Sequence, residues 1–256
     1  MTAPLAIQLY TVRERLAHDF EGTMRALADI GYLGVETAAF PEGVSARQAA
    51  ELFQELDLTV TSAHVPLPLE EQQQPALDTA AALGCERLVV NYLPPEQFAS
   101  LEQIRRTAGR LNEAAAAVGA AGYRLGYHNH QWEFWEVGDT GRVAFDVLQE
   151  QLDPDLFFEI DIYWVRVGGQ APTYVLKEVG ARAPLLHIKD GPINEVDAMT
   201  AVGAGAIDVP GAIGAAGDHP EWLIVELDRC ATDMMEAVAQ SYRYLTAEGL
   251  GRGREA

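Results

Sequence analysis

Three ionisable residues stand at the ends of separate short apolar runs. Asp161 closes LFFEID, His187 lies in PLLHIK and Glu226 in WLIVEL. A fourth run, YRLGYHNH, ends in His128 and His130, with Glu133 just beyond. Carboxylates and imidazoles together form a mixed nitrogen and oxygen ligand set. Such a set suits one divalent ion of the Mn²⁺, Co²⁺, Zn²⁺ or Fe²⁺ kind better than Mg²⁺. An ion held there polarises a carbonyl or hydroxyl and stabilises an enediolate. Ligands drawn from several strand ends place such a site on one rim of a barrel.

The elements that must position these residues follow from the apolar pattern. Eight β-type runs occur: 5–10, 33–36, 58–64, 87–92, 123–128, 156–161, 184–189 and 222–227. Helix-type segments separate them, the pattern of a parallel α/β fold. Asp19 and Ser45 are helix N-caps, and Gly31 is a helix-ending residue. The stretch 95–122 is expected to be the longest helix, and 231–249 the eighth and last. Eight strand–helix units predict a (β/α)8 TIM barrel, with residues 1–256 as a single domain. A doubly wound open sheet is the second choice, because no phosphate-binding glycine motif follows the first run. The glycine-rich stretch 191–212 reads as a long loop over the barrel mouth.

Side chains alternate along a strand, so parity decides which residues share a face. Glu159 and Asp161 share one. So do Leu185, His187 and Lys189; Ile224 and Glu226; and Gly126, His128 and His130. Turning each polar member to the barrel axis leaves its aliphatic neighbours against the helices. One register therefore serves all four strands. Trp132, Phe134, Trp135 and Trp164 crowd the strand ends, where aromatic rings either pack or stack on sugar faces.

The bulk properties exclude other classes. A chain of 256 residues has the usual length of an eight-fold barrel, and 48% hydrophobic content can fill its core. A net charge of −20 repels phosphate backbones and anionic lipid, so no nucleic-acid partner is expected. No signal peptide or membrane span is expected from the apolar pattern. Cys85 and Cys230 lie in no paired motif, which fits the cytoplasm. Homo-oligomerisation is left open.

The chain resembles the sugar phosphate isomerase/epimerase family, the xylose isomerase-like barrels. The resemblance is carried by IQLYT (7–11), GYLGVE (31–36), YHNHQWEF (127–134), EIDIYWV (159–165), HIKDG (187–191), VGAGAID (202–208) and EWLIVELD (221–228). It implies a metal held by residues of strands five to eight, at positions matching His128, Asp161, His187 and Glu226. Positions 128 and 161 are 33 apart, and 161 and 187 are 26 apart, as in that pattern. His128 is a departure, since the epimerase branch carries a glutamate there that also serves as an acid/base group. Either Glu133 reaches back to replace it, or His130 serves as the base. Position 204 is alanine where relatives often carry an acid. The resemblance also implies that Gln8, Glu36, His64 and Asn91 end strands one to four and bind a polyol. Lys189 is expected to stabilise an enolate oxygen or bind a carboxylate, or else to pair with an acid such as Glu159.

These readings converge on a metal-dependent isomerase or epimerase acting on a small sugar, keto-sugar or cyclitol. Glu226, or His130 with Glu133, would move the proton. Two other outcomes stay open: a metal-dependent lyase or dehydratase on a keto-sugar, and a non-catalytic sugar-binding subunit. An apurinic-endonuclease-like phosphodiesterase is disfavoured by the charge and by the presence of only six histidines.

Overall fold

The computed structural model describes residues 2–254. Eight parallel strands close into a barrel in sequence order. They are β1 (Leu5–Gln8), β2 (Gly34–Thr37), β3 (Thr59–Val65), β4 (Arg87–Val90), β5 (Arg124–His128), β6 (Phe157–Asp161), β7 (Leu185–Ile188) and β8 (Trp222–Val225). Each overlaps one of the eight apolar runs, and β1 pairs with β8 to complete the closure. The fold is therefore the (β/α)8 TIM barrel. The strands are shorter than several of the runs. β1 stops at Gln8, where the chain turns into a 3-10 helix, Leu9–Val12, capped by the Gln8 side chain. Lys189 and Glu226 lie one residue beyond the ends of β7 and β8.

The helices begin where local chemistry allows. Asp19 accepts from the Gly22 amide at the start of the helix Phe20–Ile30, and Gly31 ends it at φ 116°. Ser45 and Gln48 form a reciprocal capping box on Ala46–Glu55. The stretch 95–122 is not one helix. A 3-10 turn, Pro95–Phe98, comes first; Ser100 then caps an α-helix over Leu101–Ala120. The last helix is Met234–Ala247, capped by Asp233.

Inside the barrel the period of two decides the layers. Ala6, Val89, Phe157, Leu185 and Ile224 pack into one apolar cluster with Trp222. Two residues further along each of these strands stand Gln8, Asn91, Glu159, His187 and Glu226. The apolar layer is thus the floor and the polar layer the mouth. Gly126 belongs to the floor because a Cβ there would run into the Phe157 ring. Residues of the other parity, such as Phe158, Ile160, Leu186 and Val225, join the main core between barrel and helices.

A register shift between β2 and β3 adds one residue, so Glu36 faces Ser62 rather than Thr61. Ser62 and His64 consequently both point into the barrel beside Glu36. The loop after β7 leads to the helix Val209–Ala216. Residues 191–208 contribute no side chain to the lining of the central cavity. Asp190 gathers the loop by accepting hydrogen bonds from the amides of Gly191, Gly203, Gly205 and Ile207, at 2.8–3.0 Å. Met199 then packs beside the β8 exit through a bridge to Cys230.

Candidate active site

The mouth of the barrel holds a cavity of about 310 Å³. His64, Asn91, His128, His130, Lys189 and Glu226 line it, as does Asp228, with Tyr10 and Tyr92 at the edges. A larger cavity of about 720 Å³ opens beside it, lined by exposed Glu14, Arg15, Asp19 and Asp233. None of the buried, convergent groups lines that second cavity.

His128, Asp161, His187 and Glu226 come from β5 to β8, and one ligand atom of each lies within 4.8 Å of the others. Neighbouring strands carry them in adjacent register: Asp161 pairs with His187, and His128 with Glu159. Asp161 also caps the helix Ile162–Val167. Its Oδ1 accepts from the Tyr163 and Trp164 amides at 2.9 and 3.0 Å, which aims Oδ2 inward. His128 Nδ1 and Asp161 Oδ2 are buried and make no hydrogen bond; their nearest charged neighbours are Glu159 Oε2 at 3.1 Å and the Lys189 ammonium at 3.0 Å. Buried carboxylate and imidazole donors converging in one four-residue set fit a divalent ion. A second group, His64, His128, Glu159 and His187, shares two residues with the first.

Below the mouth an ion-pair network fills the barrel. His187 Nδ1 lies 2.6 Å from Glu226, and its Nε2 2.6 Å from Glu36. His64 Nε2 lies 2.7 Å from Glu159 and 3.1 Å from Glu36. Burial would lower both imidazoles, but the carboxylates outweigh it. His64 is lifted to about 10, and His187 well above its ordinary value. His128 is pushed well below its ordinary value by burial and by the neighbouring His187, so its ring is neutral. His130 is lowered to about 3 by burial and by the Lys189 ammonium. Its ring stacks on Trp132 with centroids 4.5 Å apart.

Lys189 is buried, with its ammonium 3.0 Å from Asp161, 2.8 Å from Glu226 and 3.1 Å from Asp228. Those acids overcome burial and hold it charged. Burial alone would raise Glu226, but Lys189 and His187 keep it well below the usual carboxylate range. Lys189 does not pair with Glu159, which faces the three histidines instead.

Other expected residues fall elsewhere. Glu133 does not reach back to the convergent group. Its turn, Trp132–Phe134, tucks it beneath the loop, where it accepts from the Tyr127 hydroxyl and from the His130 amide at 3.0 Å. Tyr127 lies on the face of β5 opposite His128. Gln8 and Glu36 lie under the cavity, joined to each other at 2.7 Å. Trp164 backs Lys189, with its ring 5.5 Å from the ammonium. Five contributors had no assignment from the sequence: Tyr10, Ser62, Tyr92, Asn129 and Asp228. Asn129 sits within YHNH and Asp228 two residues after Glu226, so spacing could have suggested both. Ser62 enters only through the register shift in β3.

Comparison with known proteins agrees with this architecture. A family model described as a xylose isomerase-like TIM barrel matches residues 24–247. A sugar phosphate isomerase/epimerase from Parabacteroides distasonis ATCC 8503 superposes with a TM-score of 0.84 at 23% identity, covering 98% of this chain and 96% of that one. The IOLI protein with a binding zinc atom gives 0.73 at 17% identity, covering all of both chains. A D-allulose 3-epimerase from Methylomonas sp. in complex with D-allulose gives 0.70 at 16% identity, covering 96% and 97%. These similarities establish the fold. No curated protein matches the sequence.

Proposed function

Because the chain belongs to the xylose isomerase-like TIM barrel family, we propose that it is a divalent-metal-dependent isomerase or epimerase of a small sugar, keto-sugar or cyclitol. The observation that carries this reading is the convergence of His128, Asp161, His187 and Glu226, of which His128 and Glu226 line the cavity. Mn²⁺, Co²⁺, Zn²⁺ or Fe²⁺ suits these donors better than Mg²⁺. When bound, the ion would polarise a substrate carbonyl and acidify the adjacent C–H.

The protein's own groups then divide the remaining tasks. Tyr10 and Tyr92, 43% and 49% exposed, offer ring faces to the C–H side of a sugar at the rim. Asn91 and His64 offer hydrogen bonds to hydroxyls further in. The Lys189 ammonium faces the cavity and stabilises negative charge on a substrate oxygen. His130 lines the cavity with a neutral ring and is one candidate to take the proton from carbon, although its lowering to about 3 makes it a weak base. Glu226 stays ionised and is the second candidate for that role. Glu133 acts through the main chain of His130 and holds the ring in place. His128 stands where a two-carboxylate mechanism would need an acid. Elimination from a keto-sugar, which needs one base, is therefore the second reading.

The test is solvent-deuterium exchange into a panel of keto-sugars, followed by NMR on metal-loaded and chelator-treated protein. Metal-dependent deuterium at the carbon beside the carbonyl is the expected result. Formation of an unsaturated ketone would move the assignment to a lyase. No exchange with any of them at full metal loading would overturn both.

A further inference from the structure

The position of Lys189 bears on how the site takes up its metal. Its ammonium lies 3.0 Å from Asp161 Oδ2 and 2.8 Å from Glu226 Oε2, two of the four converging side chains. It is 1% exposed, so water does not screen it. A third carboxylate, Asp228 Oδ2, lies 3.1 Å from the same nitrogen and stands outside the four-residue group. Asp228 is a quarter exposed, and its backbone carbonyl accepts from Arg13 at 2.9 Å, which ties down the loop that carries it.

We propose that Lys189 is a built-in counter-cation that competes with the metal for Asp161 and Glu226, and that Asp228 is its alternative seat when the metal is bound. This rests on the metal-dependent reading above. Two buried carboxylates facing one another without a cation are unfavourable, because each is removed from water and each repels the other. In the metal-free protein the ammonium supplies that cation for Asp161 and shares Glu226 with His187 Nδ1, 2.6 Å away. A divalent ion on the same oxygens meets a like charge at close range unless the ammonium moves. The lysine stem is long and flexible, so Nζ can turn onto Asp228 without a backbone shift. It stays protonated in both positions. Metal affinity is then set by two opposed residues: Lys189 lowers it and Asp228 restores it.

The experiment is titration of metal-free protein with Co²⁺ alone, read by calorimetry and by the Co²⁺ absorption bands, with thermal melts of each metal-free protein. Lys189→Met should bind Co²⁺ at least about tenfold more tightly than wild type and melt lower when metal-free. Asp228→Asn should bind about tenfold more weakly with little change in the metal-free melt. Should Lys189→Met not fold without metal, Asp228→Asn decides alone. Unchanged or weaker binding by Lys189→Met, or unchanged binding by Asp228→Asn, would overturn the role of Lys189 and leave the metal reading intact. If wild type takes no Co²⁺ but Lys189→Met does, the competition is confirmed in its extreme form. If neither takes any, the metal reading fails and this inference with it.

Discussion

Asn129 and Asp161 are joined twice across the ends of β5 and β6. The Asn129 side chain accepts from the Asp161 amide at 3.0 Å and donates to the Asp161 carbonyl at 3.3 Å. Both residues are fully buried. The amide thus closes the ladder where the strands part, and it fixes the backbone from which the Asp161 carboxylate projects. Replacing it leaves a buried donor and acceptor unsatisfied. Asn129→Ala should cost about 1–3 kcal/mol in urea unfolding. It should also weaken metal binding, since Asp161 loses its support. Unchanged metal affinity would show that the helix cap alone suffices to aim Asp161.

The proposed ligand set makes a graded prediction. Asp161→Ala should abolish stoichiometric metal binding while circular dichroism stays native. His128→Ala should weaken binding at least about tenfold. His128→Glu should keep the metal but lower the native reaction, because an added carboxylate makes the ion a poorer Lewis acid. Glu133→Gln should leave metal content unchanged, as its carboxylate is bound to Tyr127 and the His130 amide. Should His128→Ala retain full affinity while Glu133→Gln loses it, the fourth ligand is Glu133.

Glu133 also gives a pH signature of unusual sign. Burial pushes its carboxyl from an ordinary value of 4.5 up to about 8, against the hydrogen bonds that favour ionisation. Between those values the folded chain keeps a proton that the unfolded chain has released. Its contribution to stability is therefore fully present below the unfolded value and falls as pH rises towards about 8. Relative to Glu133→Gln, wild type should lose about 1.4 kcal/mol per pH unit across that window. Parallel stability curves for the two proteins from pH 5 to 8 would show that Glu133 is already ionised in the fold.

Gly126 is expected to tolerate no side chain. Any Cβ meets the Phe157 ring, which is itself confined by Ala6, Val89, Leu185 and Ile224. Gly126→Ala should destabilise by about 1–3 kcal/mol through overpacking. The double variant Gly126→Ala/Phe157→Leu should recover part of that loss in thermal melts. No recovery would place the strain elsewhere than on the ring.

What the sequence determined by itself was whatever depends on short-range order. Eight apolar runs, the caps at Asp19 and Ser45, and the parity linking Gly126 to His128 or Ile224 to Glu226 are local properties of the chain. Strand alternation has a fixed period of two, so the polar members could be aligned before any contact was known. Closure of a parallel barrel then brings the ends of β5 to β8 together, and with them His128, Asp161, His187 and Glu226. What only the tertiary structure decided lies beyond the strand ends, where the period no longer applies. Glu133 turns beneath its loop because Tyr127, on the outer face, offers its hydroxyl. Asp190 gathers the amides of Gly203, Gly205 and Ile207 with that of its neighbour Gly191, and so folds the glycine-rich loop on itself. Lys189 passes over Glu159 and meets Asp161, Glu226 and Asp228, because Glu159 sits lower in the barrel among three imidazoles. Each of these choices depends on which polar group lies nearest in the folded chain. Strand stagger and the course of the loops set those distances, and neither is written in any single segment.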